Sequence, residues 1–378
     1  YQFSKERLEY LKKISVITVS FNSEKTIERT IKSVIDQKYE NLEYIIIDGG
    51  SKDGTLKIIE HYQRYITKYI SEKDDGIYDA MNKGVRLATG DIIAFLNSDD
   101  YYVSGALNRI ENVFDSENYD ILCGRIYCEK NQHRWMANGA MREKPDNLLD
   151  GMMVYNQPAM FVRHDIFSDD GLFKTNYKIA SDYEWMLNVW CHGARLQLDN
   201  FVYTVFSCEG VSSTNLEMTA IETFHIANDY LDKLKGEIPQ EKFEAHKENI
   251  VRNTKIKLMK AKVESGKLPY SSSLVQNGRY SVFGAGEIGI LTVRLMKMMN
   301  LDIVAVWDNN KNRWGEVIEG IEIKNPKEIE NFTTTIIVAS QIYFKEIMAQ
   351  LDDIRLRNHV DYWECTDFFS KVIGDVDG

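Results

Sequence analysis

Cysteine is scarce in this chain of 378 residues: five in all, at Cys123, Cys128, Cys191, Cys208 and Cys365. The number is odd and no CxxC pair occurs, which argues against a disulfide framework and a structural zinc site. Reduced thiols, as in a cytosolic protein, are the expectation. No apolar run approaches the ~18–20 residues of a membrane span. The opening stretch, YQFSKERLEYLKK, lacks the apolar centre of a signal peptide. It starts on Tyr1 rather than Met, as a trimmed chain would. Positive charge is short as well. Lysine and arginine total 46 against 57 aspartates and glutamates, a net charge of −11. A general nucleic-acid binder needs a basic field, so no nucleic-acid partner is expected. The seven histidines show no metal-ligand spacing.

What remains is an ordinary soluble composition, 44% hydrophobic and 27% charged. A chain this long buries a sizeable core and divides into two or three domains. Its first hundred residues alternate between two periods. Ile14–Phe21 (ISVITVSF) and Asp91–Leu96 (DIIAFL) read as buried strands, Glu43–Asp48 (EYIIID) as a second strand of the same kind and Lys68–Ser71 as a weaker one. Between them, Ile27, Ile31, Val34 and Ile35 recur at helical spacing, with Ser23 placed to cap. Leu56, Ile58, Ile59 and Tyr62 mark a second helix, and Tyr78–Ala88 a third. Strands alternating with helices predict an α/β fold on a mostly parallel sheet. Ligands of such sheets bind beyond the carboxyl ends of the strands, here at Asn22, Asp48 and Asn97–Asp100.

Beyond Asp120 the pattern loosens. Ile121–Tyr127, Ala159–Arg163 and Leu196–Phe206 read as strands and Ser181–Cys191 as a helix closed by Gly193. A helical connector follows over 216–265, interrupted near Gly236–Pro239. Residues 266–278 (GKLPYSSSLVQNG) have linker composition. A second, smaller α/β domain then runs from 279 to 378.

The chemistry collects at the strand ends. In Asn97-Ser98-Asp99-Asp100 two adjacent carboxylates follow a buried strand. They repel one another, and Mg²⁺ or Mn²⁺ relieves that repulsion. The plain alternative is a polar turn. Asp48 stands before GGSKDGT, where a carboxylate can accept from a nucleobase or ribose; the alternative is a glycine turn with Asp53 as helix cap. Asp74–Gly84 (DDGIYDAMNKG) is a polar loop feeding a helix, too polar for core. Ser181 and Glu184 have capping-box spacing, which would make Asp182 a first-turn charge favourable to the helix dipole.

Taken together, ISVITVSFN, SVIDQKYENLEYIIIDGGSKDGT and EKDDGIYDAMNKGVRLATGDIIAFLNSDD resemble the family 2 glycosyltransferases of GT-A fold that build bacterial surface polysaccharides. The resemblance covers 14–215, with an N-terminal arm, 1–13, before it. It implies an inverting, metal-dependent transfer from a nucleotide sugar, UDP-linked, to a glycan or lipid-linked acceptor. It implies that Val19, Ser20 and Asn22 line the nucleoside pocket and that Asp48 contacts uracil or ribose. Asp75, Asn82 and Lys83 would lie near the nucleotide. Asp99 would hold ribose or sugar and share the metal, with Asp100 in direct metal contact. Asp182 would be the base. The chain departs from the family pattern at Gly49, Met81 and Ser181. Asn156–Phe161 and Glu209–Ser212 resemble a strand at the acceptor face and a glycine-serine turn.

Near the C-terminus, Gly284-x-Gly286-x-x-Gly289 follows a strand and opens a helix, and Asp308 comes 19 residues later. This is a dinucleotide fingerprint in context. The region resembles the Rossmann-like nucleotide-binding part of sugar acyltransferases. A nucleotide there and a structural or docking role are both open. The basic run Arg252, Lys255, Lys257, Lys260 and Lys262 suits a solvated helix face or a peripheral membrane contact. Partners otherwise expected are a second copy of the chain and the two substrates. The setting is cytoplasmic, with the inner membrane face as the variant. The rival readings are a redox or epimerising enzyme centred on 276–378, a nucleotidyltransferase and a scaffold without activity.

Overall fold

The computed structural model describes residues 11–115, 119–137, 145–167, 171–210, 214–268, 278–340 and 342–373. Most of the expected N-terminal arm and of the linker, together with Val211 and Ser212, lies outside these. The chain forms two compact units. One is Tyr1–Thr214 with His225–His246; the other is Asn215–Phe224 with Lys247–Gly378. The residues expected as a helical connector are shared between them.

In the first unit the alternation expected from sequence is present. β1 (Ile14–Ser20), α1 (Ile27–Ile35), β2 (Leu42–Asp48), α2 (Thr55–His61), β3 (Lys68–Ser71), α3 (Ile77–Leu87) and β4 (Ile92–Phe95) follow in order. β5 (Tyr101–Tyr102), α4 (Ala106–Asp115), β6 (Ile121–Lys130), β7 (His133–Met136), β8 (Met160–Arg163), α5 (Ser181–Cys191) and β9 (Leu196–Ser207) complete it. The sheet runs β3-β2-β1-β4-β8-β6-β9-β5, with β7 paired to β6. β3, β2, β1 and β4 are parallel, as expected. The remainder is mixed, because β8 runs antiparallel to both β4 and β6. "Mostly parallel" therefore holds for the first half only.

The parallel strands are continuous apolar runs because both their faces are covered. Ile27, Ile31 and Val34 of α1 share one buried cluster with Ile14, Val16, Tyr44 and Ile46. α3 lies so close to β1 that a Cβ on Gly84 would sit 2.4 Å from Ile17 Cγ2, so no larger residue fits there. One buried charge fastens the opposite end of the sheet. Glu43 accepts from Ser15 Oγ (2.6 Å), Thr89 N (2.7 Å) and Thr89 Oγ1 (2.9 Å), with Lys13 and Lys68 at 3.3 and 3.2 Å.

The expected Ser23 cap is not formed. Ser23 offers its carbonyl to Thr26 and Ile27 N–H, and its hydroxyl goes elsewhere. The capping box is absent too. The N-cap of α5 is Ala180, Ser181 Oγ is buried without a partner, and Glu184 pairs with Lys174 and Tyr230. Burial decides here: Glu184 is 2% exposed and faces inward, away from the helix start.

The helices α6 (Leu216–Lys233) and α7 (Gln240–Ser265) follow. The second unit contains β10 (Arg279–Phe283), α8 (Glu287–Met298), β11 (Asp302–Trp307), β12 (Val317–Ile318), β13 (Ile321–Lys324), β14 (Thr335–Val338), α9 (Phe344–Asp353), β15 (Tyr362–Glu364) and two short helices, α10 (Cys365–Phe368) and α11 (Ser370–Ile373). Its sheet runs β12-β13-β11-β10-β14-β15 and is parallel except at β12–β13. Within this unit three lysines of α7 have acidic neighbours, Lys255 with Asp367 at 3.7 Å, Lys260 with Glu264 at 4.0 Å and Lys262 with Glu217 at 3.5 Å, while Lys257 donates to Thr223 Oγ1 at 2.9 Å. Among the described residues no helix is long and apolar enough to cross a membrane.

Candidate active site

Strand order fixes where a ligand would sit. From β1 the chain builds outward to β2 and β3, then crosses back to place β4 on the other side. The loops after β1 and β4 therefore part at a topological switch point, which leaves a crevice beyond the carboxyl ends. Two hydroxyls join its walls: Ser23 Oγ and Ser98 Oγ are 2.6 Å apart.

On the β1–β2 side, Asp48 is fully buried. Its Oδ1 accepts from Ser20 Oγ (3.1 Å) and Ser51 Oγ (2.5 Å). Its Oδ2 accepts from Gly50 N (3.0 Å), Ser51 N (2.9 Å) and Ser71 Oγ (2.7 Å). These five bonds bind the ends of β1, β2 and β3 into one turn. The carboxylate expected to contact uracil or ribose is thus directed into the protein. Val19 is likewise a buried strand residue, 6% exposed. Asn22 adopts φ 49°, a left-handed conformation that Asn tolerates. Its N–H donates to Ser51 Oγ (2.8 Å) and its Oδ1 accepts from Lys52 N (2.9 Å). Between them, Phe21 is 63% exposed and lies against Gly49.

On the β4 side, Asp100 is fully buried. Its Oδ1 accepts from Ser207 N (2.8 Å), while its Oδ2 has no partner, and neither has Asn97 Oδ1. Burial and the neighbouring Asp99 push the Asp100 carboxyl well above the usual range. Burial also raises Asp99. Gly210 comes up against Asp99 Oδ2. Arg29 backs the pair: its guanidinium donates to the Asp99 carbonyl (3.1 Å), pairs with Glu129 (2.9 Å) and lies 4.1 Å from the Tyr101 ring centre.

The polar loop before α3 carries charge of both signs. Lys83 pairs with Asp74 (2.6 Å), Glu72 (2.8 Å) and Asp79 (3.3 Å), and its hydrogen bonds to Asp74 and Glu72 raise its pKa. Asp75 is exposed, with its N–H on Asp79 Oδ2 (3.1 Å). Asp182, in the first turn of α5, is half-buried; its Oδ1 accepts from Tyr183 N (2.9 Å) and lies 3.1 Å from Tyr78 Oη.

The strand ends that bound this crevice lie within the stretch, residues 15–170, that matches the sequence profile described as Glycosyl transferase family 2, whereas Asp182, Ser207 and Gly210 come after it. Residues 15–170 are a family 2 glycosyltransferase domain. A PGL/p-HBAD biosynthesis glycosyltransferase of Mycobacterium bovis is 29% identical over 196 residues, which is 50% of this chain and 74% of that protein. The cholesterol galactosyltransferase of Borreliella burgdorferi is 35% identical over 117 residues, covering 30% of this chain and 33% of that protein. Among solved structures, S. aureus TarS gives a TM-score of 0.49 at 20% identity, over 70% of this chain and 46% of that one. A mannosyltransferase from Pyrobaculum calidifontis in complex with GDP-Man and Mn²⁺ gives 0.48 at 16% identity, over 69% and 78%. Residues 276–359 match a second profile, described as C2185-like, N-terminal.

Within the glycosyltransferase domain, Ser20, Asn22, Asp48, Asp99 and Asp100 stand at adjoining strand ends, as their positions in sequence imply. Asn82 does not stand with them. It is 4% exposed, and both of its amide atoms pair with the Phe173 backbone (2.8 and 2.9 Å). Asn156–Phe161 forms a 3-10 turn, Gln157–Ala159, before β8, rather than strand throughout. Phe21 went unnoticed in the sequence, yet a signal was there: it is the one aromatic of ISVITVSFN and falls just past the strand's last residue.

In the second unit the glycine fingerprint is real as geometry. Gly284 has φ 117°, and a Cβ there would meet the Ala339 carbonyl at 2.3 Å. Gly286 caps α8, and Gly289 packs against the Gly284 carbonyl. Asp308, however, accepts from Ala285 N (2.7 Å) and Asn310 N (2.7 Å), and Arg313 donates to the Ala285 carbonyl (2.5 Å). The acid of the fingerprint thus holds the loop's own backbone.

Proposed function

We propose that the first unit transfers a sugar, with inversion, from a UDP-linked donor to a glycan or lipid-linked acceptor in surface-glycan or glycolipid assembly on the cytoplasmic side. One observation carries this reading: a buried carboxylate oxygen of Asp100, without a partner, beside a second carboxylate at the switch-point crevice. A lone buried anion is unfavourable, and hard oxygen donors suit a divalent cation. Among the described residues no three or more His, Cys, Asp or Glu side chains gather to hold a metal. Asp100 and Asp99 would therefore hold Mn²⁺ or Mg²⁺ jointly with the donor's own phosphates, as such ions are usually bound. When bound, the ion offsets charge on the departing diphosphate.

The chain's own residues supply the rest. Phe21 offers an exposed ring on which a nucleobase can stack, and the turn built by Asp48 and Asn22 presents backbone beside it. Asp182 takes the proton of the acceptor hydroxyl as that oxygen bonds to the anomeric carbon. The bond from that carbon to phosphate breaks, and its electron pair leaves with the nucleoside diphosphate. General-base help of this kind contributes about 10²–10⁴-fold. A relative named for transfer of galactose to cholesterol supports a lipid-type acceptor.

The test is a melting-temperature screen of the full chain with UDP-, GDP- and dTDP-sugars, with and without MnCl₂, because a ligand bound only by the native state raises the midpoint. A UDP-sugar should stabilise in a Mn²⁺-dependent way, and Asp182→Asn should keep that response while losing turnover. Equal indifference to every nucleotide sugar, with or without metal, would remove the reading.

A further inference from the structure

Tyr78 and Asn82 are four residues apart and so share one face of α3. Both are buried, 5% and 4% exposed, so neither offers a surface to a donor. That face instead grips the segment leading to Asp182. The Asn82 amide makes a reciprocal pair with the Phe173 backbone: Nδ2 donates to the carbonyl (2.8 Å) and Oδ1 accepts from the N–H (2.9 Å). The Tyr78 ring lies 5.6 Å from the Phe173 ring centre. Its hydroxyl ends between the Ile179 carbonyl and Asp182 Oδ1, the latter at 3.1 Å. Residues 173–182 are therefore fastened to α3 at both ends. The same helix begins at Gly76, directly after the acidic loop that follows β3.

We propose that the Tyr78–Asn82 face of α3 is a latch whose two side chains act as positioning residues for Asp182, with no contact to the donor. The inference rests on Asp182 as the base. The Tyr78 hydroxyl suits both states of that base. It has one proton and can donate it to the Asp182 carboxylate before transfer. Once Asp182 has taken the acceptor's proton, the carboxyl can donate to the Tyr78 oxygen, which then gives its own hydrogen bond to the Ile179 carbonyl. No proton leaves the pair in this exchange, and no solvent needs to rearrange. Asn82 contributes at the other end, by fixing where the segment starts.

A positioning role and a donor-contact role move different constants. The experiment uses the full chain with MnCl₂ and UDP-glucose, or whichever sugar of the screen stabilises most. Donor affinity is measured by calorimetry, and turnover as nucleoside diphosphate released to water, which stands in the acceptor's place. Asp182→Asn should abolish turnover with donor affinity kept. Tyr78→Phe and Asn82→Ala should each lower kcat by about 10- to 10²-fold, the scale of a small misplacement of a reacting group, with donor affinity within about twofold. If Asp182→Asn turns over like wild type, the base assignment fails and the latch with it. If Asp182→Asn is inert while Tyr78→Phe and Asn82→Ala keep wild-type kcat, the latch alone is overturned. Weakened donor binding with intact kcat in Asn82→Ala would return that residue to the donor site and also overturn it. Should one variant fail to fold, the other decides.

Discussion

Asp100→Asn separates a metal-holding carboxylate from a merely structural one. Asparagine keeps the size of the side chain and its oxygen can still accept from Ser207 N–H, now at 2.8 Å. The backbone bonds of residue 100, to Thr30 Oγ1 (2.7 Å) and the Asn97 carbonyl (3.1 Å), are untouched. What is lost is a fully buried anionic oxygen without a partner, next to Asp99. A buried unpaired polar atom costs about 1–3 kcal/mol, and a charged one more. The amide nitrogen that takes its place is still a buried polar group, so only the charge and its repulsion from Asp99 are removed, and without metal the variant should be more stable than wild type at pH 7.5. With UDP present to supply the phosphates and Mn²⁺ at a hundred times its dissociation constant, wild type gains about 2.7 kcal/mol from the metal and the variant nothing. The order of stability should then close or reverse. Urea unfolding of the first unit, followed by tryptophan fluorescence in the presence of UDP with and without MnCl₂, reads both terms; donor hydrolysis should fall at least a hundredfold. A variant less stable than wild type in the absence of metal, or one that keeps the metal response, would refute the reasoning.

Glu43 is a buried carboxylate held at about 2 although burial opposes its charge, because Ser15, Thr89 and Lys68 more than compensate. Its folded pKa is depressed, so its stabilisation is present above the unfolded value near 4.5 and is lost as pH falls toward 2. Glu43→Gln should cost about 3 kcal/mol at pH 7 and flatten the acid-unfolding curve across that window. Phe21→Ala should weaken donor binding by roughly 1–3 kcal/mol with little change in melting temperature, as base–aromatic stacking does; unchanged affinity in calorimetry would dismiss the stacking role. Gly284→Ala should destabilise the second unit by roughly 2–5 kcal/mol through a left-handed backbone and the Ala339 carbonyl, visible in its melting transition and silent in donor hydrolysis.

β1, β2 and β4 were legible because burial on both faces writes them as nearly unbroken apolar runs, such as YIII before Asp48, whereas β3, KYIS and only half-buried, carries a weaker signal. β7 was not legible, since His133–Met136 is exposed along its length and has no apolar side to display. β5 is two residues long, too short to carry a period. Asp99 and Asp100 were legible as acids at a strand end. The task of Asn82 was hidden because its partner, Phe173, is 91 residues away, and only folding brings them together. The Ser181–Glu184 spacing misled for a related reason. Local spacing offers a cap, but Tyr230, 46 residues further on, claims the glutamate.

The contact between Asp308 and the Ala285 amide sets terms for any visitor to the second unit. A phosphate seeking that amide would first have to evict an acid that already occupies it, and would meet that acid's charge on arrival. Entry would be visible as a large shift of one backbone amide resonance; silence of that resonance is the expected outcome, with the glycine spacing kept for the sake of a tight bend alone.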